Sequence, residues 1–405
     1  MIDLKQYISE GGASGHLSHI IDYDDMTLDD LKGLMYSLFN GRVKDITEKI
    51  DGTNIQASMN RKGEVIFVRN SKDLNSERGG MSIEDMVAKW SGKDRVQRTF
   101  VESGEALQEV FLGVGEKFFN PDDHTRIFAN CECMIEGTTN IMPYISSKVF
   151  VHDLWVYEQV DGRWEHTDTT KKGLDKLERA MERYDRVAVT PNVIVDVTEK
   201  GKDLCKRYMV ELNKMFKEYG LRYKNTIDDY KRARFEEWCR DNAGWVFDNE
   251  QGVDIMYDRI IHGNKSYNIS NVKRDIYPDH AKEVGELDKN KDVYAYCLKD
   301  IDALFLRMSN DIIAMCKDFI NAPEGDKVVG ELWDALNATV EDIESDSDVR
   351  EETKTKLMQQ LQRLEMLGSV NPTEGIVFRY KGRLMKCTGS FAPLNQILGS
   401  IKFNK

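Results

Sequence analysis

The stretch ITEKIDGTNIQASM, residues 46–59, opens a region in which β-branched and aromatic residues alternate with Gly, Asn and Asp. Runs of this composition, bounded by turn residues, are typical of β-strands. Apolar residues at helical spacing occur in the same region at 82–90 and 97–119. Further strands are predicted in GEVIFVRNSKD (63–73), RIFANCECMIEG (126–137), KVFVHDLWVYEQ (148–159) and EGIVFRYKGRLMKCTG (374–389).

A different pattern runs from residue 161 to residue 366, where apolar residues recur at helical spacing among many charges. Strand character returns after it, with Gly382 and Arg383 at the tight position of a hairpin turn or bulge. The apolar tail at 391–403 is expected to pack against the core. The predicted fold class is α+β, with antiparallel sheets flanked by helices. We expect one domain built from 31–160 and 367–405, and a long, mainly helical insertion at 161–366.

Composition narrows the functional classes. The chain has 405 residues, of which 40% are hydrophobic, and no apolar run approaches the roughly 20 residues of a membrane helix. We therefore expect an ordinary globular protein with no membrane partner. The net charge of −13 argues against a chain coated in basic residues for non-specific nucleic-acid binding. Residues 376–405 nevertheless carry six Lys or Arg and no acid. The seven cysteines lack the spacing of a zinc site, which indicates free thiols in a reducing compartment.

Residues 48–54, EKIDGTN, resemble the first motif of the covalent nucleotidyltransferases, the superfamily of DNA ligases, RNA ligases and mRNA-capping guanylyltransferases. The match is closest to the double-strand-type RNA ligases. An ordinary lysine is protonated near neutral pH, so its site should lower its pKa through burial or nearby positive charge, including bound metal. A solvated turn between strands is the alternative interpretation of so short a motif. The resemblance implies that Lys49 is the nucleophile and that the nucleotide lies against Glu48, Asp51, Gly52 and Asn54, with the glycine permitting close backbone approach.

Further motifs follow in the family order. Arg69 stands where these ligases place a basic residue that contacts the nucleotide phosphate, and Glu132 resembles the acid that binds the ribose hydroxyls. The run at 148–157 resembles the motif in which an aromatic residue before an Asp stacks on the purine. His152 takes that place here. Phe150 is the alternative, although a strand residue of this kind also suits core packing.

The last two motifs lie near the end of the chain. Glu374 in EGIVF matches the acid that organises the metal, and Lys386 in LMKCTG matches the lysine on the α-phosphate. Thr388 stands where a second lysine is common. Glu132 and Glu374 lie 242 positions apart (374 − 132), much further than in the family, and the helical insertion fills this interval.

The resemblance implies an ATP-dependent polynucleotide ligase of RNA type, with ATP and Mg²⁺ as cofactors, a lysyl-AMP intermediate on Lys49, and Glu374 as the metal-binding acid. Phosphoryl transfer depends mainly on positioning and charge neutralisation, so acids and cations of this kind form a coherent set. Broken or nicked RNA is the expected partner, with DNA as the alternative. Two other functions stay open: a capping-type or other nucleotidyltransferase, and a virion-internal nucleic-acid or nucleotide-binding protein with a ligase-like fold.

The start of the chain, MIDLKQYISEGG, is similar to the capsid-targeting leaders of large tailed phages. In those leaders a short amphipathic segment ends in Ile or Leu, any residue and Glu before the cleavage point, and Ile8, Ser9 and Glu10 fit that pattern. An ordinary amphipathic helix that ends at glycines is the alternative. We expect a leader segment at 1–30, action in the cytoplasm of an infected bacterial host, and packaging in the phage head if the leader operates.

Overall fold

The computed structural model describes residues 17–138, 141–144, 146–345 and 351–402. The proposed cleavage point after Glu10 lies outside these residues. Among the described helices, none is both long and apolar enough to cross a membrane.

The strands are short except for two in the middle of the chain. In chain order they are β1 (Ser18–His19), β2 (Thr47–Lys49), β3 (Thr53–Met59), β4 (Val65–Val68), β5 (Thr125–Met134), β6 (Lys148–Val160), β7 (Arg163–Thr170), β8 (Val187–Val189), β9 (Ile194–Val195), β10 (Cys316–Lys317), β11 (Gly375–Tyr380) and β12 (Arg383–Cys387).

Helices occupy most of the remaining described chain. They are α1 (Leu28–Phe39), α2 (Ser71–Leu74), α3 (Ile83–Lys89), α4 (Asp94–Val114), α5 (Glu116–Phe119), α6 (Leu174–Met181), α7 (Glu199–Glu218), α8 (Ile227–Asn242), α9 (Glu250–Ile261), α10 (Ile269–Asn271), α11 (Ala281–Leu287), α12 (Lys291–Ala314), α13 (Gly325–Ser345), α14 (Glu351–Leu367) and α15 (Phe391–Lys402). Short 3₁₀ or π segments occur at Ile20–Asp22, Gly244–Asp248, Val272–Ile276, Pro278–His280 and Ala322–Glu324.

The chain divides into two compact units. The first contains Asp45–Ile194 and the described part of 316–402, and the second contains Ser18–Lys44 and Val195–Met315. These bounds differ from the predicted ones. Residues 31–44 group with the second unit, whereas 161–194 and 316–366 group with the first.

The first unit holds the sheets, so the α+β class with antiparallel sheets is confirmed. One sheet has the order β4–β3–β5–β6–β7, and these neighbours are antiparallel. Strand β8 runs parallel to β6. In a second sheet β11 pairs with β2 on one side and β12 on the other, again antiparallel. The turn between β11 and β12 is formed by Lys381 and Gly382, both with positive φ, the geometry of a tight hairpin.

Among the described residues, three hydrophobic cores support these sheets, the smallest of them around Phe128 and Tyr157. Helices α3, α4 and α6 bury their apolar faces against one side of the larger sheet, around residues such as Phe67, Phe100 and Phe111. A second core joins Ile50 and Phe150 to apolar residues of α13, α14 and α15. This packing explains why 316–366 belong with the sheets. It also confirms that the described part of the apolar tail is buried.

Strand β7 was not predicted, and its sequence shows why. The run RWEHTDTT is mostly exposed and lacks the apolar alternation that marks a half-buried strand. It forms because β6 offers a long edge for pairing. The expectation of a mainly helical stretch is therefore wrong for 163–170, but it holds for the helices from α6 to α14.

The second unit is mainly helical and has its own core. Phe235 of α8, Tyr257 of α9 and Val293 of α12 are buried together in it. Helix α1 joins this unit through contacts with α7 and through hydrogen bonds between the segments around Met26 and Ile227. Thr27 caps the start of α1, because its hydroxyl accepts the Asp30 N–H, so the start of the helix is fixed locally.

Candidate active site

Lys49 is the last residue of β2, and β2 pairs with β11 so that Lys49 lies opposite Gly375. This register brings the lysine next to Glu374, although the two residues are 325 positions apart. The Lys49 ammonium contacts a Glu374 carboxylate oxygen in an ion pair. Both side chains are largely buried, with 20% and 10% of their surfaces exposed. The motif is therefore not a solvated turn.

Asp51 ties a separate segment to this pair. Its carboxylate oxygen accepts the backbone N–H groups of Ile141 and Met142, each at 2.6 Å. Its own N–H donates to the Tyr144 hydroxyl at 2.7 Å. Because each donor is fixed by backbone, Asp51 holds this segment beside Lys49. Sequence analysis gave no indication of Tyr144, since nothing local distinguishes a tyrosine whose partner lies 93 positions away.

Gly52 is required by a close approach of two strands. A Cβ atom there would lie 2.7 Å from Glu132 Cγ and 2.8 Å from the Cys133 carbonyl oxygen. These distances leave no room for a side chain. Gly52 therefore packs against β5, the strand that carries Glu132. The sequence predicted that this glycine would instead allow close approach of a nucleotide.

Glu132 sits in the middle of the larger sheet. Strand β5 places it opposite Asn54 of β3, and the amide of Asn54 donates to the Asn130 side chain at 2.8 Å. The Glu132 carboxylate lies 3.6 Å from His152 Nε2. The other ring nitrogen of His152 lies 2.7 Å from the hydroxyl of Thr190, which fixes the ring. The pairing of β5 and β6 shifts register just beside Asn130, and such bulges re-aim side chains near functional sites.

Arg69 follows β4 and points its guanidinium over the Phe100 ring, 4.9 Å from its centroid. Burial lowers the pKa of Arg69, while Glu132 and other nearby groups act in the opposite direction. Its buried Nε has no hydrogen-bond partner among the described residues. Phe100 belongs to α4, which packs on the side of the larger sheet opposite Glu132, so the described contacts of Arg69 do not join it to the Lys49–Glu374 pair.

The electrostatics are dominated by carboxylates. Burial alone would lower the pKa of Lys49, but Glu374, Glu132 and Asp51 outweigh it and raise the pKa above its ordinary value. Burial likewise raises the pKa of Glu374 to about 7, against the opposing effect of Lys49. Asp51 and Glu132 act in the same direction on both groups, because nearby negative charge raises the pKa of an amine and of a carboxyl alike. Burial acts on the Lys49 pKa in the expected direction, but the neighbouring carboxylates outweigh it, so a bound cation is the remaining source of the expected decrease.

Glu48 does not lie with the other predicted nucleotide-binding residues. Consecutive strand residues point to opposite faces, so its side chain leaves β2 on the side away from Lys49. The Glu48 side chain is fully buried. Its carboxylate accepts hydrogen bonds from the Ile320 N–H at 2.6 Å and from the Thr373 hydroxyl at 2.8 Å. Burial raises its pKa to about 7. Its role is to hold Thr373, and through it Glu374, in place.

Lys386 shares the Lys49 face of the smaller sheet. It lies opposite Val377, which in turn lies opposite Thr47. Directly paired residues point to the same side of a sheet, and Thr47 and Lys49 are two positions apart. Lys386 is therefore on the same face of the smaller sheet as Lys49, but two strands away from it.

Phe150 is excluded as the stacking residue. It is 4% exposed and belongs to the core with Ile50 and Met134. His152 remains the residue at the predicted stacking position, half-buried beside Glu132.

The arrangement can hold a charged ligand. Lys49, Asp51, Glu132 and Glu374 come from β2, the loop after it, β5 and the residue before β11. Glu374 contacts the Lys49 amine directly, and the charges of Asp51 and Glu132 act on it from nearby. Mg²⁺ prefers hard oxygen ligands, so the donor chemistry of these carboxylates fits that ion. No family model, curated protein or solved structure matches this chain.

Proposed function

We propose that this chain is an ATP-dependent nucleotidyltransferase of the polynucleotide-ligase type, with RNA as the first-choice substrate and a ligase-type nucleotidyltransferase domain in its first unit. The observation that carries the proposal is the contact of Lys49 with Glu374, with Glu132 and Asp51 in the same cluster. Three acids named from sequence motifs spread over more than 300 positions act on the amine of Lys49, Glu374 by contact and Asp51 and Glu132 through their charges.

In the proposed first step, Lys49 Nζ attacks the α-phosphorus of ATP. A P–N bond forms, the bond from phosphorus to the oxygen bridging to the β-phosphate breaks, pyrophosphate leaves, and the amine proton passes to solvent. Arg69 and Lys386 would neutralise phosphate charge, and Glu132 would accept the ribose hydroxyls. In the later steps AMP passes to the 5′-phosphate of a broken strand, and the neighbouring 3′-hydroxyl displaces it.

The carboxylates around Lys49 would hold Mg²⁺, with Glu374 as the predicted ligand. Bound there, the ion would supply the positive charge that neutralises both the carboxylates and the phosphates. That charge would lower the Lys49 pKa, which the side chains alone hold high.

The test is transfer of label from nucleotide to protein. ATP and GTP, each labelled at the α-phosphate, are incubated separately with the chain and Mg²⁺, and label retained after denaturation is measured. Label from ATP that is released on adding nicked RNA supports the ligase. Label from GTP alone supports a capping-type enzyme.

A binding protein without turnover is the second candidate, favoured by the ion pair that keeps Lys49 charged. In that case neither nucleotide labels the chain, yet ATP still binds. The proposals that the protein acts in an infected host and enters a phage head rest on the N-terminal resemblance. N-terminal sequencing of protein from purified virions tests them, since a chain that begins at Gly11 would support both.

A further inference from the structure

A strip of side chains extends from Glu132 along one face of the larger sheet. Alternation on β5 places Arg126, Phe128, Asn130 and Glu132 on the same side, and the opposite side packs on the helices around α4. Residues Trp155 and Tyr157 of β6 lie opposite Phe128 and Arg126, so they share that face. Six residues of strand separate Glu132 from Arg126, which corresponds to about 20 Å.

At the end furthest from Glu132, this face carries several aromatic side chains. Trp155 lies against His166 with ring centroids 4.2 Å apart, and the Arg126 guanidinium lies 4.3 Å from the Trp164 ring centroid. His166 is exposed. Both tryptophans are half-buried and pack against a small core that buries Phe128 and Tyr157, so only their outer parts are open to a ligand. We call Arg126, Trp155, Trp164 and His166 the aromatic strip.

Arg126 forms no ion pair within the part of the chain that the structure describes. Its Nε and Nη1 atoms are buried with no hydrogen-bond partner among the described residues. Burial lowers its pKa, and Arg61 lowers it further, with no carboxylate acting against them. Gly79 packs directly on the guanidinium, because a Cβ there would lie 1.9 Å from Nη1. A buried cation without an anion is costly, so an anion from outside the chain would stabilise it.

We infer that the aromatic strip binds a single-stranded polynucleotide, with unpaired bases stacked on the tryptophan and histidine rings and a backbone phosphate near Arg126. The inference rests on the proposed function and extends it. The aromatic strip shares a sheet face with Glu132, so a polynucleotide bound there would be directed towards Lys49. Stacking on ring faces combined with a phosphate-attracting cation is how proteins hold single strands without reading their sequence.

The test measures binding and adenylation separately on the full chain. Fluorescently labelled single-stranded RNA of about 12 nucleotides, a length within the range of such sites, is titrated and followed by anisotropy. Trp155→Ala and Arg126→Ala should each weaken binding about ten-fold, the effect of losing one stacked base or one phosphate contact. Arg126→Ala should also reduce the slope of log binding constant against log salt concentration by about 1, the effect of losing one phosphate contact. Trp333→Ala, at a 37% exposed tryptophan on α13, is the matched control and should bind normally.

Conservative variants keep the test independent of folding. Trp155→Phe retains a ring and should restore most of the binding, whereas Arg126→Lys retains charge without a planar group and should restore only part. If both tryptophan and arginine variants bind RNA as tightly as the unaltered chain, the inference is wrong. Attachment of AMP to Lys49 should be unchanged in every variant. A chain that binds RNA through the strip but never gains AMP would refute the proposed ligase and leave the strip standing. A parallel titration with single-stranded DNA shows which polynucleotide is preferred.

Discussion

The amine of Lys49 is surrounded by acids that both position it and restrain it. The residue types of EKIDG were sufficient to propose Lys49 as the nucleophile, because the motif that carries the resemblance is local in sequence. They were not sufficient to assign Glu48, whose direction depends on strand alternation and on donors from Ile320 and Thr373. Tyr144 was missed for the related reason that its contact with Asp51 is made only by the fold.

The raised pKa of Lys49 predicts how this amine titrates. A raised pKa keeps the amine protonated to higher pH, so labelling by an acylating reagent should reach half its maximum above the pH found for ordinary exposed lysines. Glu374→Gln should move that midpoint to lower pH, because burial then acts against fewer negative charges. Adding Mg²⁺ should shift it in the same direction. Mass-spectrometric labelling of Lys49 between pH 7 and pH 11 measures all three, and a midpoint below that of exposed lysines would contradict the cluster's electrostatics.

Glu48 makes stability depend on pH. Its pKa of about 7 lies above the ordinary value of 4.5, so the folded chain binds a proton more tightly than the unfolded one. The stabilisation is complete below the ordinary value and is lost as pH rises from about 4.5 to about 7, by a total of about 3 kcal/mol. Glu48→Gln should flatten this fall in the unfolding free energy of the first unit, measured by urea denaturation at several pH values. Glu105→Gln on the exposed side of α4 should leave it intact, and an unchanged slope in Glu48→Gln would refute the assignment.

At the scale of elements, local patterns predicted the strands around the site well. Strands β3 to β6, β11 and β12 match the predicted runs to within one residue, because each buries apolar residues on at least one face. Strand β2 also falls in a predicted run, although its buried residue is Glu48. Helices α3 and α4 were likewise predicted by their spacing. Strand β7 and the pairing of β2 with β11 were not, since they depend on partners far away in sequence.

The pairing of β11 with its neighbours depends on Gly375. Its φ is +153°, and a Cβ atom would lie 2.0 Å from the Cys387 carbonyl oxygen, so Gly375→Ala should force β11 and β12 apart. We expect a loss of about 2 to 3 kcal/mol in the unfolding free energy of the first unit, as for an overpacked site. Gly382→Ala in the same hairpin has open space around it and should cost only about 1 kcal/mol. Equal losses in urea denaturation would show that the close approach does not matter.

At the scale of the whole molecule, the chain has two units with separate cores. Sequence predicted an interrupted α+β domain, but it placed the interruption too early and ended it too late. Apolar residues of α13 and α14 pack with Ile50 and Phe150, and no local pattern reveals which distant core a helix will join. The same limit hid α1, whose partners lie in α7.

Separate cores predict separate unfolding transitions. Phe235 is fully buried in the second unit, so Phe235→Ala should lower the stability of that unit by about 3 to 5 kcal/mol. Calorimetry should show a lower transition temperature for the second unit and an unchanged one for the first. ATP and Mg²⁺ should raise the transition temperature of the first unit only. Phe247→Ala, at a 39% exposed phenylalanine of the same unit, is the control. A single transition that shifts as a whole would contradict independent cores.

The central claim is that Lys49 becomes covalently joined to AMP. Intact-protein mass spectrometry after incubation with ATP and Mg²⁺ tests it most directly, with Lys49→Ala and Lys49→Arg as variants and Lys62→Ala, at an exposed lysine of the same unit, as the control. We expect one added AMP in the unaltered chain and in the control, and none in either Lys49 variant. A chain that gains no AMP under these conditions, or a Lys49→Ala chain that still gains it, would contradict the claim.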